Sequence, residues 1–330
     1  MSQVTISIAE ARHRVEKTLR ASGVTADNAE SVARALVEAE IDGQSGHGLQ
    51  RVASYAAQAA AGKVDGHAVP VIEETAPGAL RVDVAHGFFY PAFDRVLGRL
   101  PEMARRQGIA MAGFFRSHHC GVAGHSVERL AEAGCTALML ANTPAAMAPW
   151  GGATRLFGTN PIAFAAPLPG REPLVIDMSL SKVARGKIVA AAARGEAIPE
   201  GWAVDSEGNA TTDAARAVKG AMLPFGEAKG SALALMVELL AAGLTGGRYA
   251  REATSFLDAE GGPPETGQLI IAISTEALSA DAPARIAELA GWIEADGNAR
   301  LPGMRRLERR EHVRRNGLTV DSALLEDLAR

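Results

Sequence analysis

NTPAAMAPWGGATRLFGTNPIAFAAPLPGREPLVIDMSLSKVARGK, residues 142–187, is the stretch on which the reading of this chain turns. It sets Pro-Trp-Gly-Gly (149–152), Gly-Thr-Asn-Pro (158–161) and Ala-Arg-Gly-Lys (184–187) around two apolar runs, 162–166 and 174–178. Apolar runs this short, bounded by Gly and Pro, predict buried strands. The Gly-rich pieces then fall at strand ends, where backbone approaches a ligand closely. Ligand-binding groups concentrate on such loops, and a loop-dense centre inside an otherwise helical chain is hard to explain as scaffold alone.

On the N-terminal side, apolar positions at helical spacing predict helices over 8–21 and 26–42, stopped by Gly23 and Gly43. A third helix is expected over 47–61, closed by Gly62. Strand-like runs follow at 80–84, 109–115 and 136–141, separated by helical segments at 90–107 and 122–133. On the C-terminal side, a long Ala/Leu-rich helix is expected over 227–244, a strand over 268–274, and helices over 282–295 and 322–328. Residues 260–267 (EGGPPETG) read as a surface loop. Strands and helices mix throughout, so the class is α/β, of the α+β type. Residues 1–75 are expected to form a helical N-terminal part packing with C-terminal helices in 275–330, and 76–274 a sheet-containing domain.

The composition is that of a globular protein: 330 residues, 47% hydrophobic and 22% charged. A net charge of −4 gives no electrostatic case for nucleic acid. The start, MSQVTISIAEARHRVEK, lacks a basic-then-apolar signal pattern, and no run approaches the ~18 apolar residues of a membrane span. With two cysteines, Cys120 and Cys135, a cytoplasmic protein without a disulfide framework is the default. No G-x-G-x-x-G follows a strand and no G-x-x-x-x-G-K-[ST] occurs, so neither a standard dinucleotide-binding Rossmann domain nor a P-loop is supported.

The central stretch, together with SGHGLQR (45–51), IPEGWAVDSEGNATTD (198–213) and GAMLPFGEAKGSALALMVELLAAGLTG (220–246), resembles the type-2 malate/L-lactate dehydrogenase family over nearly the whole chain. The resemblance implies an unrelated, non-Rossmann, largely antiparallel fold that binds NAD or NADP. It implies homodimers with the active site near the interface. It also implies hydride transfer between the nicotinamide and C2 of a small anionic 2-oxo or 2-hydroxy acid of the malate, lactate or 3-sulfolactate type. Within the family the alternative is reduction of a cyclic 2-imino acid, Δ1-piperideine-2-carboxylate or Δ1-pyrroline-2-carboxylate. A relative that kept the fold as a non-catalytic binding protein is the alternative of another class.

His47 and Arg51 carry the chemistry in this reading. On one helix they would share a face, a proton donor beside a carboxylate clamp. Taken alone, the pair reads more readily as a capping or surface histidine and a solvated arginine; similarity to the family's Ser-His-Gly motif, whose His is the proton donor, reverses that preference. The family has Ser directly before the His, where this chain has Gly46. Either Ser45 reaches in from a shifted backbone or that support is absent. Ser-His-His-Cys-Gly-Val-Ala-Gly (117–124) is similar to the family's cofactor loop, which assigns His119, Cys120, Gly121, Val122 and Ala123 to the cofactor. His118, His119, Cys120 and His125 cluster in sequence but match no standard zinc spacing, and no metal is expected.

Position by position, the resemblance further places Asp177, Met178, Ser179, Ala228 and Lys229 along the cofactor, and Thr159, Arg185 and Gly186 near substrate. Read alone, these are a turn, a strand end and surface cations. The basic segment 300–315 is either a solvated helix face laced with Glu308 and Glu311, or a site for cofactor phosphates. The family's Pro-Gly-Glu here points to Arg300, Pro302 and Gly303, with Met304 in the Glu position. The imine reductases carry an acid after Ala-Arg-Gly. Lys187 in that place opposes added positive charge and favours a second anion on the substrate, unless it is simply a solvated helix residue.

Overall fold

The computed structural model describes residues 3–327. A strand β1 (Gln3–Ile6) leads into helices α1 (Ile8–Ala21) and α2 (Ala26–Ile41). Ser7 caps α1 by accepting from the Glu10 amide. Two 3₁₀ turns, Ser45–His47 and Leu49–Arg51, precede α3 (Val52–Ala60). The single helix expected over 47–61 is therefore broken. The extended backbone of Gly48 interrupts it, and a Cβ there would meet the Glu40 carboxylate at 2.5 Å and its backbone N at 2.9 Å.

Strands β2 (Val71–Ala76) and β3 (Ala79–Asp83) form a hairpin ahead of α4 (Phe89–Leu97) and α5 (Leu100–Gln107). These two replace the one helix expected over 90–107; Pro101, in the first turn of α5, has no N–H to continue the ladder across Gly98. Then come β4 (Ile109–Ser117), α6 (Ala123–Glu132), β5 (Cys135–Ala141), β6 (Ile162–Leu168), β7 (Arg171–Met178) and α7 (Arg185–Arg194). Short elements β8 (Ala203–Val204), β9 (Ala210–Thr211), α8 (Ala214–Lys219) and β10 (Ala221–Met222) lead to α9 (Glu227–Glu238). The helix continues as a π-helical segment, Leu239–Gly243. The chain ends with β11 (Thr266–Ser274), α10 (Ala282–Ala295), α11 (Met304–Asn316), β12 (Leu318–Asp321) and α12 (Ser322–Asp327); position 328 of the expected last helix lies outside the described residues. Thr266 and Gly267, read as loop, begin β11 and are buried.

The main sheet has the order β2-β3-β4-β11-β5-β6-β7. Among its described neighbours only β3 and β4 run parallel, so the sheet is mixed and largely antiparallel. Side-chain alternation divides it between two cores. Ile270 and Ala272 of β11, with Ala137 and Met139 of β5, face a core shared with α1–α6. Leu269 and Ile271 face a second core with Val237 and Ala241 of the α9 layer and Met147, Leu180 and Ile188. At about 1.5–3 kcal/mol for each large apolar side chain buried, these two faces hold the sheet between layers. β1 pairs with β12, tying the start of the chain to its end.

The alternation of directions has one result that matters for function. The ends of β4, β5 and β7 and the starts of β6 and β11 all lie at one end of the sheet, as the registers Thr266↔Ser117, Gln268↔Ala141 and Ile162↔Met178 show.

Candidate active site

His47 stands on a loop pinned from beneath by Glu40. This buried carboxylate accepts from Ser45 Oγ at 2.6 Å and from the Leu49 amide at 3.0 Å. The Ser45 hydroxyl is thus engaged by Glu40 and holds the loop rather than the imidazole. The ring of His47 lies nearly parallel to that of His119, with Nδ1 3.3 Å from His119 Nε2. Its Nε2 makes no hydrogen bond among the described residues. Burial, then the charges of Arg51 and His125, push the His47 pKa down to about 4, so the ring is neutral at pH 7.

Arg51 does not share an α-helical face with His47. Its Nε donates to Gly46 O at 2.6 Å, which folds the side chain back over the loop. Arg51 has no acidic partner among the described residues, and its charge depresses the pKa of His47, His118 and His119. A guanidinium held by one donor with the rest of its fork free is suited to a carboxylate.

Behind His47 lies a buried polar layer. His119 Nδ1 is 2.6 Å from the Tyr55 hydroxyl, which is 3.3 Å from the Tyr90 hydroxyl. His118 Nε2 is 2.8 Å from Gln58 Oε1, and Gln58 Nε2 donates to Phe256 O at 2.9 Å. The Phe256 ring packs against both histidines, with centroids 5.2 and 5.1 Å away. The segment bearing it is anchored by Lys63, whose buried ammonium donates to the carbonyls of Asp258 and Glu260. Burial pushes His118 down to about 3 and the Cys120 thiol up to about 12, so Cys120 is an inert packing residue. The four metal-like residues point apart: His118 to Gln58, His119 to Tyr55 and His125 to Asp42, with Cys120 buried in the core.

Thr159 is held in the neighbouring loop. Its amide donates to Thr143 Oγ1 at 2.9 Å, and its carbonyl accepts from the Leu180 amide. Gly158 is obligatory, since a Cβ would sit 2.2 Å from Thr143 O. Asn160 adopts φ 41° and donates to Glu238 Oε2 at 2.8 Å; Asn142 donates to Glu238 Oε1 at 3.1 Å and accepts from the Gly267 amide. Gln268, one residue on, donates to His118 O at 3.1 Å. A continuous polar path through β11 therefore fixes the Thr159 loop relative to the histidines.

The residues assigned to the cofactor also converge. Asp177 Oδ2 accepts from the Gly124 amide at 2.8 Å, joining the end of β7 to the 119–123 loop. Gly303 lies against Val175 O, which brings Arg300, Pro302 and Gly303 to the same strand. Leu180 and Ser181 pair with Phe225 and Pro224, immediately before Ala228 and Lys229 of α9. Asp177, Met178 and Ser179 are exposed at this junction. Gly121, at φ 67°, lets the loop turn against the Tyr90 hydroxyl, 2.5 Å from where a Cβ would be. Lys229 and Arg300 are exposed cations without acidic partners among the described residues. An open strand end, close-packed glycines and free cations fit a dinucleotide.

Arg185, Gly186 and Lys187 form the first turn of α7, which packs on the second core rather than on the His47 cluster. Lys187 is exposed and has no acidic partner among the described residues. The basic segment departs in part from the solvated-face expectation. Arg306 and Arg310 turn inward to Asp42 and Glu128, and Arg309 donates to Ile41 O. Burial of two acids on α2 and α6 demands these partners, which leaves Arg306 and Arg310 neither solvated nor free for phosphate. Among the described residues, Arg314 and Arg315 pair along the helix with Glu311. Glu40, Tyr55, Tyr90, Asn142 and Glu238 were not singled out in the sequence. Glu40 had a signal, an acid three and four residues after Val37 and Leu36 on the apolar stripe of α2.

A family model described as malate/L-lactate dehydrogenase matches residues 6–329. A (2R)-3-sulfolactate dehydrogenase (NADP(+)) from Chromohalobacter salexigens is 47% identical over 98% of this chain and 96% of its own length. A Δ1-pyrroline-2-carboxylate/Δ1-piperideine-2-carboxylate reductase from Pseudomonas aeruginosa is 41% identical over 98% of each chain. The crystal structure of Δ1-piperideine-2-carboxylate reductase from Pseudomonas syringae pathovar tomato superposes with a TM-score of 0.93 at 37% identity, covering 98% of both chains. With the site's geometry, these likenesses settle the class: the chain belongs to the malate/L-lactate dehydrogenase family and is a nicotinamide-dependent oxidoreductase.

Proposed function

We propose that this enzyme interconverts a small 2-oxo acid and its 2-hydroxy acid, with a preference for substrates bearing a second anion. The observation that carries the reading is the unpaired Arg51 guanidinium beside a neutral His47 whose Nε2 is free. Arg51 holds the C1 carboxylate and Thr159 orients the substrate. His47 Nε2 takes the hydroxyl proton on oxidation and returns it on reduction; a depressed pKa leaves it ready as a base. NAD or NADP supplies and accepts the hydride when bound. His119–Ala123, Asp177–Ser179, Ala228, Lys229, Arg300, Pro302 and Gly303 form its bed. Ser45 supports His47 indirectly, through Glu40.

Lys187, with Arg185 and Gly186 at the positive end of α7, supports a dianionic substrate such as a sulfonated or dicarboxylic 2-oxo acid. The 47% identity to a sulfolactate dehydrogenase points the same way. The cyclic-imine reading is favoured instead by the 0.93 TM-score to a piperideine carboxylate reductase. The test is kcat/KM for 3-sulfopyruvate, oxaloacetate, pyruvate and Δ1-piperideine-2-carboxylate, in wild type and Lys187→Glu, followed by NAD(P)H absorbance. The dianions should lead, and Lys187→Glu should erase that lead. A wild-type preference for the cyclic imine of tenfold or more, about 1.4 kcal/mol, overturns the assignment.

We further propose a cytoplasmic homodimer. Leu235, Met236, Leu239 and Leu244 expose an apolar stripe along the α9 layer, and Ile109, Met111 and Ile273 leave part of the sheet uncovered. No described helix is long and apolar enough to cross a membrane. A fully active monomer by light scattering at micromolar concentration refutes the dimer.

A further inference from the structure

His119, Tyr55 and Tyr90 are more than packing behind the catalytic ring. Four polar side chains from four elements line up in sequence, His47–His119–Tyr55–Tyr90, with successive heteroatom separations of 3.3, 2.6 and 3.3 Å. Tyr55 is fully buried, and His119 and Tyr90 nearly so. An apolar interior tolerates such a row only when each member bonds the next. Phenylalanine would fill the positions of Tyr55 and Tyr90 without that requirement. The row does not stop in the core. Tyr90 lines a small open cavity between α2, α4 and α6, shared with Cys120 and His125 and rimmed by Arg34, Glu38 and Arg129. The row therefore runs from the His47 ring to a residue that borders this cavity, whose Cys120 and Val122 belong to the 119–123 loop.

We propose that His119, Tyr55 and Tyr90 relay a proton between His47 and this cavity, so that the acid–base group exchanges protons with water through its Nδ1 while its Nε2 serves the substrate. The inference rests on the role given to His47 above.

In the reducing direction the hydride bonds C2 and the carbonyl π pair moves onto oxygen. The alkoxide takes the proton from His47 Nε2. His47 Nδ1 takes one from His119 Nε2, His119 Nδ1 takes one from the Tyr55 hydroxyl, Tyr55 takes one from Tyr90, and Tyr90 takes one from water in the cavity. One proton enters and one leaves. Both imidazoles end neutral in the other tautomer, and no imidazolium or tyrosinate accumulates. The depressed pKa values of His47 and His119 and the raised ones of Tyr55 and Tyr90 agree with a row of neutral groups. Oxidation runs the row backwards. Arg51, His118, His125 and Cys120 are the charged or titratable neighbours that bias it, and none interrupts it.

Two experiments decide the matter. In the free protein, nitrogen-15 NMR of labelled histidine reads the tautomers. A relay requires the same tautomer in His47 and His119, since opposite tautomers place two protons or none at their contact; finding opposite tautomers overturns it without recourse to activity. In turnover, Tyr55→Phe and Tyr90→Phe should each lower kcat for reduction about 10- to 100-fold, with KM and the Kd for NADPH unchanged. The rate in H₂O/D₂O mixtures should bow with deuterium fraction in wild type, as several protons move together, and straighten in the variants. A lost hydroxyl that merely loosens the fold lowers Tm and raises KM without straightening that plot. If both variants keep wild-type kcat and solvent isotope effect, the relay is wrong while the role of His47 stands. If wild type turns over no 2-oxo acid or cyclic imine, the functional reading fails, and the tautomer measurement still decides the row.

Discussion

Replacing Arg51 by Met removes a charge while keeping most of the side chain's bulk, and the structure fixes two consequences. First, His47 should become more basic. Its pKa falls from the ordinary 6.5 to about 4, with burial as the largest cause, Arg51 second and His125 third. Deleting the second cause leaves the first, so less than half of the drop returns. His47 in the variant should titrate between about 4 and about 5, short of 6.5. Second, the substrate carboxylate loses its charged hydrogen bonds. Such bonds are worth about 1.5–3 kcal/mol, so KM for the 2-oxo acid should rise about 10- to 150-fold. The assay is kcat/KM for alcohol oxidation against pH, with an NMR titration of His47 in the free protein. Wild type should lose activity only as pH falls through about 4, where His47 protonates and ceases to be a base. In Arg51→Met that limb should move up. A limb near 6.5 in wild type that disappears in His47→Ala refutes the burial argument. An unchanged KM in both Arg51→Met and Arg51→Lys places the clamp elsewhere.

Other outcomes follow from the same geometry. His47→Ala should lower kcat about 10²- to 10⁴-fold while cofactor affinity, measured by NADPH fluorescence, stays near wild type. Glu238→Gln puts an amide where Asn142, Asn160 and the Ala250 amide all donate. One donor then faces another, at a cost of about 1–3 kcal/mol, seen as a lower Tm and a raised KM through the loosened Thr159. Acid should destabilise the fold early. His118 is neutral when folded down to about 3 and protonates near 6.5 when unfolded. Its contribution is therefore intact above pH 6.5 and drains at about 1.4 kcal/mol per pH unit below it, which urea melts at pH 7.5 and 5 will show; equal midpoints contradict it.

Much of the sheet was legible because its strands are short apolar runs between turn residues. The runs at 136–141, 162–166 and 174–178 fall within β5, β6 and β7, and helices α1, α2 and α10 end where Gly and polar residues stop the periodicity. What failed were elements decided by tertiary contact. The break at Gly48 depends on Glu40, nine residues from Leu49 in sequence but hydrogen-bonded to it in space. The inward turn of Arg306 and Arg310 depends on acids on α2 and α6, and a basic run carries no mark of buried partners. The site was half visible. Ser-Gly-His-Gly and Gly-Thr-Asn-Pro announce themselves by residue type. Tyr55 and Tyr90 lie in helices of ordinary composition, and only the fold shows their hydroxyls meeting.

The position of β11 bears on how this chain is made. It lies between β4 and β5, yet leaves the ribosome well over a hundred residues after either. Until residue 274 emerges, β4 and β5 each present an unpaired edge to a slot one strand wide. Phe114 and Met139 belong to the same core as Ile270 and Ala272 of β11, which is not yet there to complete it. A nascent chain in that state offers the kind of edge that captures a stray strand from a neighbour. Closing it requires a contact of long sequence separation, the slow kind. Synthesis at high density should therefore favour aggregates that form before release, and chains stalled short of residue 266 should be cut by protease in the linker after β5 while full-length chains resist.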